Sequence, residues 1–119
     1  MTIHASSTGV FEGIPDSGLL LPPTATPLSG DIHTRTSELF APAGAKSSVG
    51  FWQASVGRSH WNFEDYSEAI LVLAGRVVVT EDGGEPVALG PGDVAVFPLG
   101  WTGEWDVTEE LRKFYVVFP

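Results

Sequence analysis

The residues able to do acid–base chemistry fall at spacings that β-strands bring to one face. Glu64 and Glu68 stand four apart, and Lys113 and Tyr115 two apart. Side chains at such even separations project the same way from a strand. Carboxylate, phenol and ammonium are groups of general acid–base catalysis. Asn62 and His60 share the parity of the two glutamates. Oxygens of Asn62, Glu64 and Glu68 leave room for a weakly held, hard divalent cation. A lone histidine such as His60, at a loop-to-strand boundary, reads first as a surface or packing residue; His4 and His33 are isolated. Trp101 and Trp105 flank Gly103 at strand period and face the same way. Each indole is either core packing or a wall for a ligand. No nucleophile elbow, phosphate-binding loop or serine–histidine pair is present.

The elements that must position these groups centre on Glu68–Gly100. Glu68–Ala74 is an apolar strand after an acidic start, with Ile70 and Val72 following Glu68 to one face. Gly75 breaks it, and Arg76–Glu81 resumes as a β-branched strand. Asp82-Gly83-Gly84 supplies the positive φ of a tight hairpin, Pro86–Leu89 is the return strand, and Gly90–Asp93 is a second turn. Asp93 is expected to hydrogen-bond the local backbone there. Val94–Phe97 forms the next strand, closed by Pro98-Leu99-Gly100. Around this unit the sequence predicts strands over Val49–Val56, around Trp61–Phe63, over Trp101–Val107 and over Leu111–Phe118, with Thr108–Glu110 as a turn. No helix, second domain or tandem repeat stands out.

Residues 1–34 are rich in Ser, Thr, Pro and Gly, with Val10, Phe11, Ile14 and Leu19–Leu21 as scattered apolar residues. They read as an extended N-terminal arm, either laid against its own domain or covering a neighbouring subunit. Residues 35–119 form the single folded domain.

Within that domain the chain resembles the cupins. Glu68, six residues, then Gly75 is similar to the end of the first cupin motif, G-x5-H-x-H-x3/4-E-x6-G. Gly92, five residues, then Pro98-x-Gly100 is similar to the start of the second, G-x5-P-x-G-x2-H-x3-N. The tail Trp101–Val107 with Leu111–Tyr115 resembles small cupins of the ureidoglycine aminohydrolase-like and ethanolamine-utilisation groups. The resemblance spans Arg35–Phe118 and implies an all-β, cupin jelly-roll barrel. It also implies a metal site inside the barrel, from two His and the Glu of the first motif and the His of the second. Here Glu68 stands at the Glu position. The two first-motif His positions fall on Asn62 and Glu64 in one register, or on Trp61 and Phe63 in the other, and the second-motif His position falls on Gly103. Three of the four ligands are therefore absent, and no cofactor is expected.

In the cupin register the barrel interior becomes a small-molecule site. Glu68 is its acid–base or anchoring carboxylate, Glu64 the second, and Tyr115 or Lys113 the proton partner. Trp61, Asn62, Phe63, Trp101 and Trp105 line the walls. Lys113 either pairs with Glu68 inside, taking the charge space of a metal, or is solvated. The resemblance implies a nitrogen-containing metabolite, a ureide or an amine, as ligand. The alternative is a sensory or accessory cupin without catalysis, acting through dimer contacts.

Composition bounds the remaining choices. A net charge of −9 removes the basic footprint that nucleic acid requires and disfavours anionic membranes. The absence of cysteine excludes disulfides and thiolate ligands. The first residues lack a basic segment followed by an apolar core, and Leu19–Leu21 is too short to span a bilayer. The expectation is a cytoplasmic homodimer with a small-molecule ligand.

Overall fold

The computed structural model describes residues 1–119. All the regular structure is β apart from a short 3-10 turn, Gly9–Phe11. The strands are β1 (Asp16–Leu19), β2 (Ala25–Pro27), β3 (His33–Phe40), β4 (Ser48–Ala54), β5 (Gly57–Asn62), β6 (Ser67–Glu81), β7 (Val87–Leu89), β8 (Val94–Phe97) and β9 (Thr102–Phe118). Every pairing is antiparallel. No helix is long and apolar enough to cross a membrane.

Two long strands set the architecture. The first half of β9 lies between β5 and β6, and its second half between β4 and β6. The first half of β6 carries β8 on its other edge, and its second half carries β7. The two strands thus run side by side through both walls of a curled sheet, which is the jelly-roll arrangement. They bend together. Register shifts fall between Val72 and Val77 on β6, opposite Glu109 and Glu110 on β9. Gly75 sits at this bend with φ +84°, and a Cβ there would meet the Glu109 and Glu110 carbonyl oxygens. Only glycine allows the two backbones to cross so closely.

Two sequence expectations change for this reason. Gly75 does not end a strand, and Thr108–Glu110 is not a turn between two strands; both are bends inside continuous ones. A bulge and a turn use the same residues, so the local signal is the same. The hairpin at Asp82–Gly84 and the strand Val94–Phe97 stand where the sequence places them. Asp93 accepts a hydrogen bond from the Gly90 amide at 2.8 Å.

Residues 1–34 contribute more than an extended arm. β1 pairs with β3, and β2 pairs with β5. Phe11 and Ile14 pack on Phe51 of their own chain, with the Phe11 and Phe51 rings edge-to-face at 5.9 Å. Phe11 and Ile14 therefore cover a face of their own sheet. The main core lies inside the barrel and gathers Trp61, Phe63, Ile70, Val72, Phe97, Trp105 and Leu111 among others.

Candidate functional site

Strand parity decides what faces the interior. On β6 Glu68, Ile70 and Val72 share one face, as their even spacing requires, and all three are buried. On β9 Leu111, Lys113 and Tyr115 are buried in the same way. Pairing puts Val72 opposite Lys113, Ile70 opposite Tyr115 and Glu68 opposite Val117. Glu68 and Lys113 therefore project into one space from adjacent strands. Their side chains meet: Lys113 Nζ donates to Glu68 Oε2 at 2.5 Å. Lys113 is only 2% exposed and Glu68 5%.

The ammonium is enclosed by indoles. Lys113 Nζ lies 4.4 Å from the centre of the Trp52 ring, 4.5 Å from Trp105 and 5.5 Å from Trp61. Carboxylate and aromatic faces together offset the cost of burying the cation. Burial pushes the Lys113 ammonium below its ordinary value, and the charge and hydrogen bond of Glu68 oppose that shift. Of the two sequence readings of Lys113, paired inside or solvated, the structure takes the first.

The first-motif strand adopts the register with Trp61 and Phe63 inward; both are buried. Asn62 is half-buried and Glu64 exposed, and the Asn62 amide donates to Glu64 Oε1 at 2.8 Å. Asn62 and Glu64 thus pair with each other outside the Glu68–Lys113 cluster. His60 lies on the surface, with Nε2 3.1 Å from Asp82 Oδ2.

Gly103 does not open a space between Trp101 and Trp105. A Cβ there would lie 2.5 Å from the Trp101 ring, so the half-buried indole of Trp101 already fills the vacated volume. Trp61 and Trp105 stack at 4.1 Å, and Phe97 lies 4.9 Å from both Trp101 and Trp105. This end of the barrel is packed with rings. The Trp105 indole N–H is buried without a hydrogen-bond partner.

A small cavity adjoins the Glu68–Lys113 pair. It measures about 180 Å³ and is lined by Glu68, Lys113, Tyr115 and Trp61, together with Thr36, Trp52 and Tyr66. Its volume corresponds to roughly six waters. Tyr66 also lines a larger surface cleft of about 590 Å³ beside Glu38 and Lys46. Burial raises the Tyr115 phenol above its ordinary value, and the charges of Glu38 and Glu68 add to the shift. Burial raises Tyr66 too, with Glu68 and Asp65 adding and Thr24 opposing. Both phenols therefore stay protonated through neutral pH and remain donors.

Thr36, Trp52 and Tyr66 escape the sequence reading. Trp52 sits on a predicted strand, but its approach to Lys113 follows from β4–β9 pairing, which no local pattern reveals. Thr36 and Tyr66 come from segments with no periodic signal.

The interior donor set does not fit a transition metal. Its only carboxylate at the cupin ligand positions, Glu68, is engaged by an ammonium, while Trp61, Phe63 and Gly103 offer no donor there. No group of three or more His, Cys, Asp or Glu comes together anywhere in the chain.

The EutQ-like cupin domain model matches residues 42–115. Among solved structures, the Clostridium difficile EutQ protein superposes with a TM-score of 0.63 at 22% identity, covering 74% of this chain and 69% of that one. A Pseudomonas syringae protein of unknown function gives 0.77 at 22% identity, covering 90% of this chain but 45% of its own. The polyketide cyclase RemF from Streptomyces resistomycificus gives 0.65 at 20% identity, covering 98% and 79%. No curated protein matches. At such identities the structural likeness speaks for the fold alone.

Proposed function

We propose that this chain, which belongs to the EutQ-like cupin family, binds a small, uncharged, nitrogen-containing metabolite of the amide or ureide class in the cavity beside Glu68 and Lys113. The observation that carries the reading is the convergence of an ion pair, two phenols and a threonine hydroxyl on one cavity inside an otherwise apolar barrel. An amide or ureide presents both N–H donors and a carbonyl acceptor. Glu68 and the Thr36 hydroxyl supply acceptors; Lys113, Tyr66 and Tyr115 supply donors. A cationic amine is the weaker candidate, because Lys113 already fills the place of a cation between Glu68 and the indoles. Glu68 and Lys113 are also the pair through which a proton would move if the ligand is turned over.

A second reading, a sensory or accessory cupin without catalysis, draws support from the ring-filled end of the barrel. That reading acts through dimer contacts and needs no ligand in the cavity, so the two differ first in whether the cavity binds a small molecule.

Thermal-shift and calorimetric titration with methylurea and acetamide, against ethylamine and acetate, tests the binding reading. The expected result is stabilisation by the first two, weakened by Thr36→Val and Tyr115→Phe. Preference for ethylamine or acetate, indifferent to both substitutions, would show that the polarity of the cavity has been misjudged.

A further inference from the structure

Lys113 combines features that a binding role does not require. It is a primary amine only 2% exposed, hydrogen-bonded to a carboxylate, and it borders a cavity large enough for a small organic molecule. A desolvated lysine is a nucleophile toward carbonyl compounds. We propose that Lys113 condenses reversibly with small aldehydes admitted to the cavity, forming a buried iminium. The inference rests on the reading above only in that the cavity admits a ligand.

The step balances within the residues present. Glu68 takes one proton from the Lys113 ammonium, and the freed lone pair of Nζ attacks the carbonyl carbon. A second proton passes from nitrogen to the carbonyl oxygen, giving a carbinolamine. Glu68 then returns its proton to that hydroxyl, the C–O bond breaks, and water leaves as the C=N bond forms. Nitrogen starts and ends with one positive charge, and Glu68 starts and ends as a carboxylate. The iminium therefore inherits the same ion pair and the same indole faces at Trp52 and Trp105 that hold the ammonium. The setting that stabilises one cation stabilises the other, so the adduct adds no uncompensated charge to the core. Protonated Tyr66 and Tyr115 on the same cavity offer donors to the carbonyl oxygen during attack.

The chain contains two lysines, and the other, Lys46, is exposed on the loop between β3 and β4. Lys46 is thus an internal control for solvent reactivity. The folded protein is treated with glycolaldehyde or with naphthaldehyde in the presence of cyanoborohydride, which reduces iminium to a stable amine, and labelled peptides are mapped by mass spectrometry. The expected result is that glycolaldehyde labels Lys113 and Lys46, while naphthaldehyde labels Lys46 and leaves Lys113 at least about tenfold slower because it exceeds the cavity. A Lys46→Arg chain should still take up glycolaldehyde at Lys113. If glycolaldehyde labels Lys46 but not Lys113, the condensation is wrong; stabilisation by methylurea in that same preparation would leave the binding reading standing. Equal labelling of Lys113 by both aldehydes would place the reaction in an opened chain and likewise overturn the inference.

Discussion

Lys113 Nζ stands 2.5 Å from Glu68 Oε2, both side chains shut away from solvent, with the Trp52 and Trp105 rings within 4.5 Å of the ammonium. Glu68 stands at the glutamate position of the first cupin motif and is engaged by a charge fixed to the chain. The other motif positions, Trp61, Phe63 and Gly103, carry no metal donor. The interior is thereby divided into a ring-packed end and a polar cavity.

Breaking this pair leaves a buried charge without a partner. Glu68→Gln should cost about 3–5 kcal/mol of stability, and Lys113→Met in the same chain should recover most of it, because the core then holds no charge. Urea denaturation of the single and double variants checks this. Additive effects of the two substitutions would show that the side chains do not act as a unit.

The same geometry predicts that purified protein carries well under one equivalent of transition metal per chain. Lys113 competes directly for the only carboxylate at the ligand positions, and like-charge repulsion disfavours a divalent ion beside an ammonium. Elemental analysis after purification without added metal is the measurement. A stoichiometric metal that survives dialysis against chelator would refute the argument.

Much of this was legible in residue spacing, and the rest failed for identifiable reasons. The shared face of Glu68, Ile70 and Val72, that of Lys113 and Tyr115, and the strand Val94–Phe97 follow from period and turn chemistry, whereas the placing of the Glu68 face inside the barrel rests on the cupin resemblance. The continuity of β6 and β9 does not, since Gly75 supplies the same signal for a bulge as for a strand end. β1 is exposed along its whole length and carries no alternation to read. Whether Lys113 was solvated or paired depended on a partner 45 residues away. The open choice between Asn62/Glu64 and Trp61/Phe63 was settled by packing, because only the aromatic pair can join the stack with Trp105.

Alkaline pH should weaken the fold through Tyr66 and Tyr115. Each folded phenol titrates above its ordinary value of 10.0. Above that pH the unfolded chain loses phenolic protons first, so the folded state binds more protons and stability falls as pH rises. Lys113 acts in the opposite sense, since its folded value lies below 10.5 and the unfolded chain binds more protons up to that point. Comparing wild type with a Tyr66→Phe/Tyr115→Phe chain isolates the phenols. The wild type should lose stability more steeply as the pH rises above 10.0, and parallel profiles would refute the assignment.

The edge strand β8 carries no charge, pairs only with β6, and presents Val94 and Val96 to solvent at 66% and 54% exposure. An unguarded apolar edge of this kind is a template for pairing, and a second copy of the chain is the occupant expected. Light scattering at micromolar concentration should report a dimer, and Val94→Lys with Val96→Lys should dissociate it while leaving thermal stability of the monomer within roughly 1 kcal/mol. A monomer before substitution would remove the case for this edge.

Gly50 on β4 ties the fold to the cavity. It pairs with Tyr115, and a Cβ at this position would lie 2.5 Å from the Ser37 carbonyl oxygen and 2.8 Å from the Tyr115 hydroxyl. The carbonyl belongs to the neighbouring strand and cannot retreat without distorting the β3–β4 ladder, so the phenol must also move. Gly50→Ala should therefore destabilise the chain by about 1–3 kcal/mol, as an overpacked core position does. Displacing the Tyr115 hydroxyl should weaken methylurea binding as well, in proportion to the hydrogen bond lost. Gly50→Ala in a Tyr115→Phe background separates the two effects. With the hydroxyl gone, one of the two collisions is relieved, so the stability cost of the alanine should shrink and its effect on binding should vanish. An undiminished cost in that background would place the strain wholly on the Ser37 carbonyl and detach Gly50 from the cavity.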